Sequence, residues 1–133
     1  MKKRAVIIST AMAGLLCLTI PAVAHHSFSV EYDANKPVAF SGVVTKVEWT
    51  NPHARVYVDV ADAMGGVQTW NLELASPSAL ARNGWTSRTL KVGDKVKVDG
   101  FDGRAANTFR MNAKSIVLPD GRSLFSGSAD DAR

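Results

Sequence analysis

Apolar and polar residues alternate along most of this chain, with the period of two that is typical of half-buried β-strands. Clusters of Gly, Pro, Asn, Asp and Ser separate the alternating stretches, as expected of turns. The pattern predicts five strands and a short sixth strand. Their predicted ranges are Val38–Trp49, Ala54–Ala61, Val67–Ala75, Lys95–Gly100, Thr108–Leu118 and Ser123–Phe125.

The alternation also assigns the two faces of the second and third strands. The residues predicted to face the core are Val56, Val58, Val60, Trp70, Leu72 and Leu74. The residues predicted to face outward are Arg55, Tyr57, Asp59, Thr69, Asn71 and Glu73. Nothing in this pattern places two acidic residues at the spacing of an acid/base pair, so it gives little support for a hydrolytic enzyme.

One short helix is predicted between the third and fourth strands. Ser76 can cap its N-terminus, Pro77 suits the first helical position, and Gly84 suits a left-handed stop. A helix of fewer than three turns is not stable alone. We therefore expect it to dock on the sheet through Leu80, with Trp85 directly after it.

The segment before the first strand has weaker periodicity. Phe28, Val30 and Tyr32 alternate with polar residues, which predicts a short strand or an extended arm. The composition of Asp33–Pro37 predicts a turn. Gly42, within the first strand, predicts a bulge or a sharp bend.

The order of these elements indicates the fold class. Three strands, a short helix and two further strands form the order of the five-stranded OB-type barrel, whose first strand is long and bent. Closing a sheet on itself also removes exposed strand edges. We predict an all-β, five- to six-stranded OB-like barrel with one short helix, and the alternative for the same strands is an open β-sandwich.

Residues 1–24 have the pattern of a signal peptide. Residues 2–4 are basic, residues 5–20 are apolar and uncharged, and Ala22-Val23-Ala24 offers small residues for cleavage. We expect cleavage after Ala24 and a periplasmic or secreted protein. The alternatives are an uncleaved membrane anchor and lipid attachment at Cys17.

Removing this leader changes the charge of the chain. The full sequence has 16 Lys and Arg and 12 Asp and Glu, and the leader holds three of the basic residues and none of the acidic ones. The remaining 13 basic and 12 acidic residues make no basic surface for nucleic acid.

The predicted organisation is a signal peptide over 1–24, an OB-like domain with an N-terminal arm over 25–125, and a flexible tail over 126–133. No cysteine and no membrane span remain after cleavage, which excludes a disulfide and a thiolate metal site.

The three histidines carry the clearest candidate chemistry. His25 and His26 directly follow the predicted cleavage site, and His53 follows Asn51-Pro52 in a predicted strand connection. A mature N-terminal His25 would offer its α-amine and its imidazole, and His53 would complete a three-nitrogen histidine brace suited to Cu(II). His26 is an alternative third ligand only if the arm curls, because neighbouring side chains in an extended chain point to opposite faces. The other interpretation is that all three are structural or solvated.

A second copper hypothesis uses softer ligands. The sulfur atoms of Met64 and Met111, with His53 and the ring of Trp49, would suit Cu(I). Met64 lies in a Gly-rich loop, whereas Met111 alternates with Phe109 as a core residue. This set therefore depends on two methionines at unrelated positions.

Several short motifs together resemble a family of small exported bacterial proteins of unknown function. These motifs are His25–Phe28, Glu31-Tyr32, Trp49–His53, Trp70–Glu73, Ser76–Trp85 and Gly93–Val96. The resemblance covers most of the mature chain and implies export and a small β-barrel, with no assigned activity. A more distant likeness is to periplasmic OB-type proteins, some of which bind ligands or copper. It exists at the level of the fold alone and assigns no function.

These observations predict an exported binding or interaction module whose partner is a protein or a small ligand. Copper held by His25, His26 and His53 is one hypothesis for its role. A metal-free protein-interaction or small-ligand barrel is the alternative, and a copper-dependent oxidoreductase is the third class. The sequence contains no Gly-rich phosphate loop and no HExxH metal motif, which favours a role other than catalysis.

Overall fold

Six strands and two short helices make up residues 28–127, the part of the chain that the computed structural model describes. The helices are α1, Phe28–Glu31, and α2, Pro77–Arg82. The strands are β1, Tyr32–Glu48; β2, Arg55–Ala61; β3, Val67–Glu73; β4, Lys95–Gly103; β5, Arg110–Val117; and β6, Ser123–Phe125. All six predicted strands are present, and the largest difference is that β1 begins at Tyr32 rather than at Val38.

The first five strands close into a ring. The sheet order is β3-β2-β1-β4-β5-β6, and β3 also pairs with β5. The β3–β5 pairing is parallel, with Leu72 opposite Met111, and the other pairings are antiparallel. This barrel-like ring confirms the predicted OB-like fold class, since an open β-sandwich would leave β3 and β5 unpaired.

The long β1 takes part in both halves of the ring. Its first half pairs with β4 and its second half pairs with β2, and Val43 belongs to both pairings. Gly42 lies at this crossing, where a Cβ atom would overlap the carbonyl oxygen of Asp59. The glycine therefore permits a close approach of β1 and β2. The predicted bulge lies elsewhere, between Val44 and Lys46, where the register with β2 shifts.

Two predictions for the N-terminal segment are wrong. Phe28–Glu31 forms the helical turn α1 instead of a strand, and Asp33–Pro37 lies within β1 instead of in a separate turn. The turn chemistry is present locally, because Asn35 N donates to Asp33 Oδ1 at 3.0 Å. The register between β1 and β4 shifts across this segment. Pairing with β4 therefore outweighs the turn preference and reduces it to an irregularity in the strand.

The predicted caps of α2 are confirmed. The Ser76 side chain accepts a backbone hydrogen bond at 3.3 Å, and Gly84 adopts a φ of 89°. Leu80 is fully buried in the core. Trp85 is buried beside it, and its Nε1 donates to the carbonyl oxygen of Phe125 at 2.9 Å. The helix therefore docks through the two residues that the sequence indicated.

One apolar core fills the ring and follows the predicted inward faces of β2 and β3. Its buried side chains include Val44, Val56, Val58, Leu72, Leu74, Leu80, Met111 and Ile116. Trp49, Val60 and Trp70 pack against this core but are only partly buried. Val60 and Trp70 form its margin at the end where β2 and β3 extend beyond the β3–β5 pairing, whereas Trp49 lies at the other end, after β1.

The predictions for the two ends of the chain fall mostly outside the described residues. The leader over 1–24 and the tail over 128–133 both lie there. Ser126 is buried, and its hydroxyl donates to the carbonyl oxygen of Ala113 at 2.9 Å, so the bonded chain extends past the predicted domain end at residue 125. Among residues 28–127, no helix is long and apolar enough to cross a membrane.

Candidate functional site

A row of side chains crosses the outer face of the ring. Arg55 on β2 is the Cα partner of Glu73 on β3, and Glu73 is the partner of Asn112 on β5. Phe101 on β4 continues the row as the partner of Asn112. Residues paired across strands project to the same face. The chain neighbours of Arg55 and Glu73 are core residues, so this row points away from the core.

Glu73 is buried although it lies on the outer face, with 8% of its surface exposed. The Tyr32 hydroxyl donates to Glu73 Oε2 at 3.0 Å, and Arg55 Nη2 donates to the same oxygen at 3.0 Å. Arg110 Nη2 lies 4.0 Å from it. A buried carboxylate requires such partners, because an unpaired charge inside a protein is strongly destabilising.

Tyr32 covers this carboxylate and is itself 2% exposed. Burial, and then the negative charge of Glu73, raise the pKa of the Tyr32 phenol well above its ordinary value. The phenol therefore stays protonated at neutral pH and acts as the hydrogen-bond donor. This bond joins the start of β1 to the end of β3.

Helix α1 is held against the same network. Arg110 Nη2 lies 3.5 Å from Glu31 Oε2. The backbone N–H of Arg104 donates to the Glu31 carbonyl oxygen at 2.8 Å, and Arg104 Nε donates to the Ser29 carbonyl oxygen at 2.5 Å. One ion pair and two hydrogen bonds to carbonyl oxygens therefore tie α1 to β5 and to the β4–β5 connection.

Aromatic contacts complete the attachment of α1. The Phe28 ring centroid lies 5.5 Å from that of Phe101 in an edge-to-face arrangement and 5.8 Å from that of Tyr32. Such pairs contribute roughly 0.5–1.5 kcal/mol beyond the burial of their area. Because a single helical turn has no stability of its own, these tertiary contacts determine where α1 lies.

A cleft of about 370 Å³ lies beside this network, between α1 and the β4–β5 connection. Its polar and ionisable lining residues are Glu31, Tyr32, Arg104, Thr108 and Arg110. Within it the charge of Glu31 is balanced by Arg110, so the cleft mixes both signs and does not form a strongly basic or acidic surface.

His53 lies near the same ends of β2 and β3. It follows the cis peptide bond between Asn51 and Pro52 in the β1–β2 connection. His53 Nδ1 lies 2.9 Å from the carbonyl oxygen of Leu74, the residue after Glu73. A carbonyl oxygen only accepts hydrogen bonds, so Nδ1 is the donor, and in the neutral imidazole the lone pair is then on Nε2.

The predicted copper ligands are only partly within the described residues. His25 and His26 lie outside them, so the histidine brace stays a prediction. No group of three or more His, Cys, Asp or Glu that could hold a metal ion occurs in residues 28–127. Of the histidines predicted as ligands, His53 is the one that lies within the described residues.

The Cu(I) hypothesis based on methionine is wrong. Met111 is fully buried in the core, whereas Met64 is 97% exposed in the β2–β3 loop. A side chain that is almost fully exposed makes few contacts with the rest of the protein, so Met64 does not converge with Met111 and His53 on one ion. The alternation with Phe109 correctly identified Met111 as a core residue.

The sequence did not single out the network around Glu73. Alternation placed Arg55 and Glu73 on the outward face, but it could not show that Tyr32, 41 residues away from Glu73, covers them. The short sequence motifs were the signal that could have revealed this network. The Glu31-Tyr32 pair and the Trp70–Glu73 strand are both among the motifs that resemble a known family.

Comparison with known proteins places the chain in a family. No curated protein and no solved structure matches it. The family of unknown function DUF6152 matches residues 11–112. The match includes all three histidines together with Tyr32, Glu73 and Arg110. Because this match spans most of the sequence, the protein belongs to the DUF6152 family of unknown function.

Proposed function

We propose that this protein is an exported, periplasmic binding module that holds a copper ion between His53 and the N-terminal histidines. The proposal requires cleavage after Ala24, so that His25 begins the mature chain. The observation that carries it is the hydrogen bond from His53 Nδ1 to the Leu74 carbonyl oxygen. Such a bond orients the imidazole of a metal-binding histidine and leaves Nε2 as the ligand atom.

The position of Phe28 supports the proposal. The Phe28 ring contacts Phe101, which is three strand steps from Arg55 along the outer row, or roughly 14 Å at the usual strand spacing. His53 lies two residues before Arg55, about 7 Å along the chain. A segment of three residues from His25 to Phe28 can span at most about 10 Å, and two histidine side chains would have to cover the remainder.

The proposed ligand set consists of nitrogen atoms. His25 supplies its α-amine and one imidazole nitrogen, and His53 supplies Nε2. Amine and imidazole nitrogens suit Cu(II), which also leads the divalent series in affinity. His26 is the alternative third ligand if the arm curls, because neighbouring side chains in an extended segment would point to opposite faces.

The export step is tested first, because the amine ligand depends on it. The leader has a basic start at residues 2–4 and small residues at Ala22-Val23-Ala24. We expect the protein recovered from the periplasm of an expressing bacterium to begin with His25, as measured by intact mass and N-terminal sequencing. A chain that keeps residues 1–24 would contradict the amine-coordinated site.

Copper binding is tested by titration of Cu(II) against the mature protein with a competing chelator. We expect one extra residue before His25 to weaken binding by about tenfold or more, equivalent to about 1.4 kcal/mol. His53→Ala should do the same. Thr50→Ala, an exposed change in the same connection, is the matched control and should keep the native affinity.

Two results would count against the proposal. Equal affinity of the extended and native proteins would refute coordination by the α-amine. An affinity no greater than that of an unstructured histidine-containing peptide would refute the metal-binding role as a whole.

Copper-dependent oxidation of a substrate that is lost in His53→Ala would instead place the protein among copper oxidoreductases.

Metal-free binding of a small ligand is the second candidate function, and one observation favours it. An open groove of about 1070 Å³ runs between β1, β2, the start of β4 and the end of β5, which is slightly larger than the usual range for small-molecule sites. Val43 and Val67 line it with 38% and 59% of their surfaces exposed. An apolar fluorescent dye should bind native protein and lose affinity in Val67→Lys, and equal binding to both would exclude the groove.

A further inference from the structure

The first half of β1 has a neighbouring strand on one side only. From Pro37 to Val43 it pairs with β4, whereas its pairing with β2 begins only at Val43. No other strand of residues 28–127 pairs with β1. This stretch therefore has an unpaired edge, to which another extended chain can add as a strand.

The hydrogen bonds of Val44 show which backbone groups face this edge. Val44 N donates to the Asp94 carbonyl oxygen at 2.9 Å, and the Val44 carbonyl oxygen accepts from Gly93 N at 2.8 Å, so both groups face the β4 side. Successive residues of a strand present their backbone groups to opposite edges. The N–H and C=O groups of Ala39 and Ser41 therefore face the unpaired edge. Both residues are exposed, and within the described chain no backbone bond occupies these four groups.

The groove of about 1070 Å³ runs along the same edge. Ser41 and Ala61 both line it, on two strands that separate beyond the pairing of Val43 with Asp59. The unpaired edge thus faces a gap that the β2–β3 hairpin bounds on its other side. A single extended chain needs one strand spacing, about 4.8 Å, and enters such a gap more readily than a second barrel does.

Two lysines beside the edge determine the charge of the occupant. Lys97 is the β4 partner of Ser41, and Lys95 is the partner of Val43. Both lysines are exposed and line the groove, and neither forms an ion pair within residues 28–127. A strand added along β1 would lie two strand spacings from β4, about 10 Å, so an acidic side chain opposite Ser41 would reach Lys97 across the short serine side chain.

The two carboxylates of the groove already have partners. Asp59 accepts a hydrogen bond from Thr69 Oγ1 at 2.6 Å, and Asp94 accepts one from Lys91 N at 2.9 Å. The charges without a partner in the groove are therefore positive. Residues 37–43 contain no acidic residue, so a second copy of the same edge would bring no carboxylate to the lysines.

The inward face of the edge is apolar. Phe40 lies between the two residues with free backbone groups, and its ring centroid is 4.9 Å from that of Trp70. Both rings pack against the core but are only partly buried. The residue opposite Phe40 on an added strand projects to the same face. An apolar residue at that position would cover exposed ring surface.

We infer that residues 39–41 bind an extended acidic segment of a partner protein by strand addition. Ala39 and Ser41 supply four backbone hydrogen bonds, and Lys95 and Lys97 pair with carboxylates on the outer face of the segment. An apolar residue between those carboxylates packs beside Phe40. This occupant differs from the small ligand considered above for the same groove, and its binding does not depend on the copper site.

The test is a nuclear magnetic resonance titration of the isotope-labelled mature protein without metal. The probe is a capped synthetic peptide of alternating glutamate and valine residues. We expect saturable shifts of the Ala39 and Ser41 amide signals and slower hydrogen exchange at both, because their N–H groups become bonded. A peptide with lysine in place of glutamate should bind about tenfold more weakly or not at all. Shifts confined to other residues, or equal affinity for the two peptides, would overturn the proposal.

A charge reversal in the protein tests the role of the lysines. Lys95→Glu/Lys97→Glu should weaken binding of the glutamate peptide by about tenfold or more and strengthen binding of the lysine peptide. The matched control is Arg88→Glu/Lys114→Glu, which changes the net charge equally at two exposed residues outside the groove lining. It should keep the native preference. Equal effects of the two variants would show that net charge alone is responsible, and would refute the assigned contacts.

Methylation of the peptide backbone tests strand addition in the unaltered protein. The glutamates lie opposite Ala39 and Ser41, so their N–H groups face β1, whereas those of the valines face away. N-methylation of the glutamates should weaken binding by about tenfold or more, because two hydrogen bonds are lost, and N-methylation of the valines should have a smaller effect. Equal effects of the two methylated peptides would exclude strand addition.

The other possible occupants give different results. A concentration-dependent dimer of the protein alone that Ala39→Pro abolishes would assign the edge to a second copy, since this change removes an N–H group that faces away from β4. Binding of an apolar dye in the groove without binding of the peptide would leave a small ligand as the occupant. Either result would overturn the proposal, and neither bears on copper binding.

Discussion

The hydrogen bond between Tyr32 and Glu73 should be a main contribution to the stability of the N-terminal segment. Tyr32→Phe removes the hydroxyl and keeps the ring, so it deletes the bond at 3.0 Å without opening a cavity. A buried hydrogen bond to a charged group contributes about 1.5–3 kcal/mol. We therefore expect Tyr32→Phe to lower the free energy of unfolding by about 2 kcal/mol.

The companion change is Glu73→Gln, which removes the negative charge shared by Tyr32, Arg55 and Arg110. Breaking a fully buried ion pair costs roughly 3–5 kcal/mol. The side chains of Arg55 and Arg110 are 28% and 37% exposed, so water screens their charges and reduces this cost. We expect a loss of about 2–3 kcal/mol, because one nearly buried carboxylate faces two partly solvated arginines.

Urea unfolding followed by tryptophan fluorescence measures both changes and their combination. In a double-mutant cycle, Tyr32→Phe and Glu73→Gln should be less than additive by about 1–2 kcal/mol, since Tyr32→Phe deletes the bond that Glu73→Gln weakens by removing its charge. Tyr57→Phe is the matched control. Its hydroxyl donates to the more exposed Glu48 at 3.3 Å and should cost less than about 0.5 kcal/mol. A coupling energy below about 0.5 kcal/mol would show that Tyr32 and Glu73 are not bonded in solution.

The remaining predictions concern pH, packing, backbone conformation and capping. The raised pKa of Tyr32 means that its contribution to stability is complete below the unfolded value of about 10 and is lost as pH rises above it. Tyr32→Phe should flatten this alkaline loss in urea titrations. A Cβ at Gly100 would overlap the backbone of β5, so Gly100→Ala should cost about 3 kcal/mol. Gly121→Ala, with a φ of 89° but open space, should cost about 1 kcal/mol. Calorimetry should show a loss of about 2–5 kcal/mol for Leu80→Ala and about 1 kcal/mol for Ser76→Ala.

Local patterns were sufficient to predict most of the fold. The alternation of β2 identified Val56 and Val58 as core residues, and both are buried. Ser76 and Gly84 marked the ends of α2 correctly because a cap depends on residues within a few positions. The order of strands and helix then indicated the ring.

Local patterns failed at the N-terminal segment. The alternation of Phe28, Val30 and Tyr32 predicted an extended arm, and the segment forms the helical turn α1 instead. Four or five residues carry too weak a preference to decide between these states. Contacts with Phe101 and Arg104 decide it, and both lie more than 70 residues away in the sequence.

For the candidate site, too, the sequence determined some features and the tertiary structure determined the others. By itself the sequence located three histidines, and it placed Glu73 on the outward face of β3. Only the tertiary structure decided that Tyr32 covers Glu73 and that His53 bonds the Leu74 carbonyl oxygen. Alternation and capping act between near neighbours, so they can be read from the chain. These contacts join residues that are 41 and 21 positions apart, and they exist only once closure of the ring brings β1, β2 and β3 together.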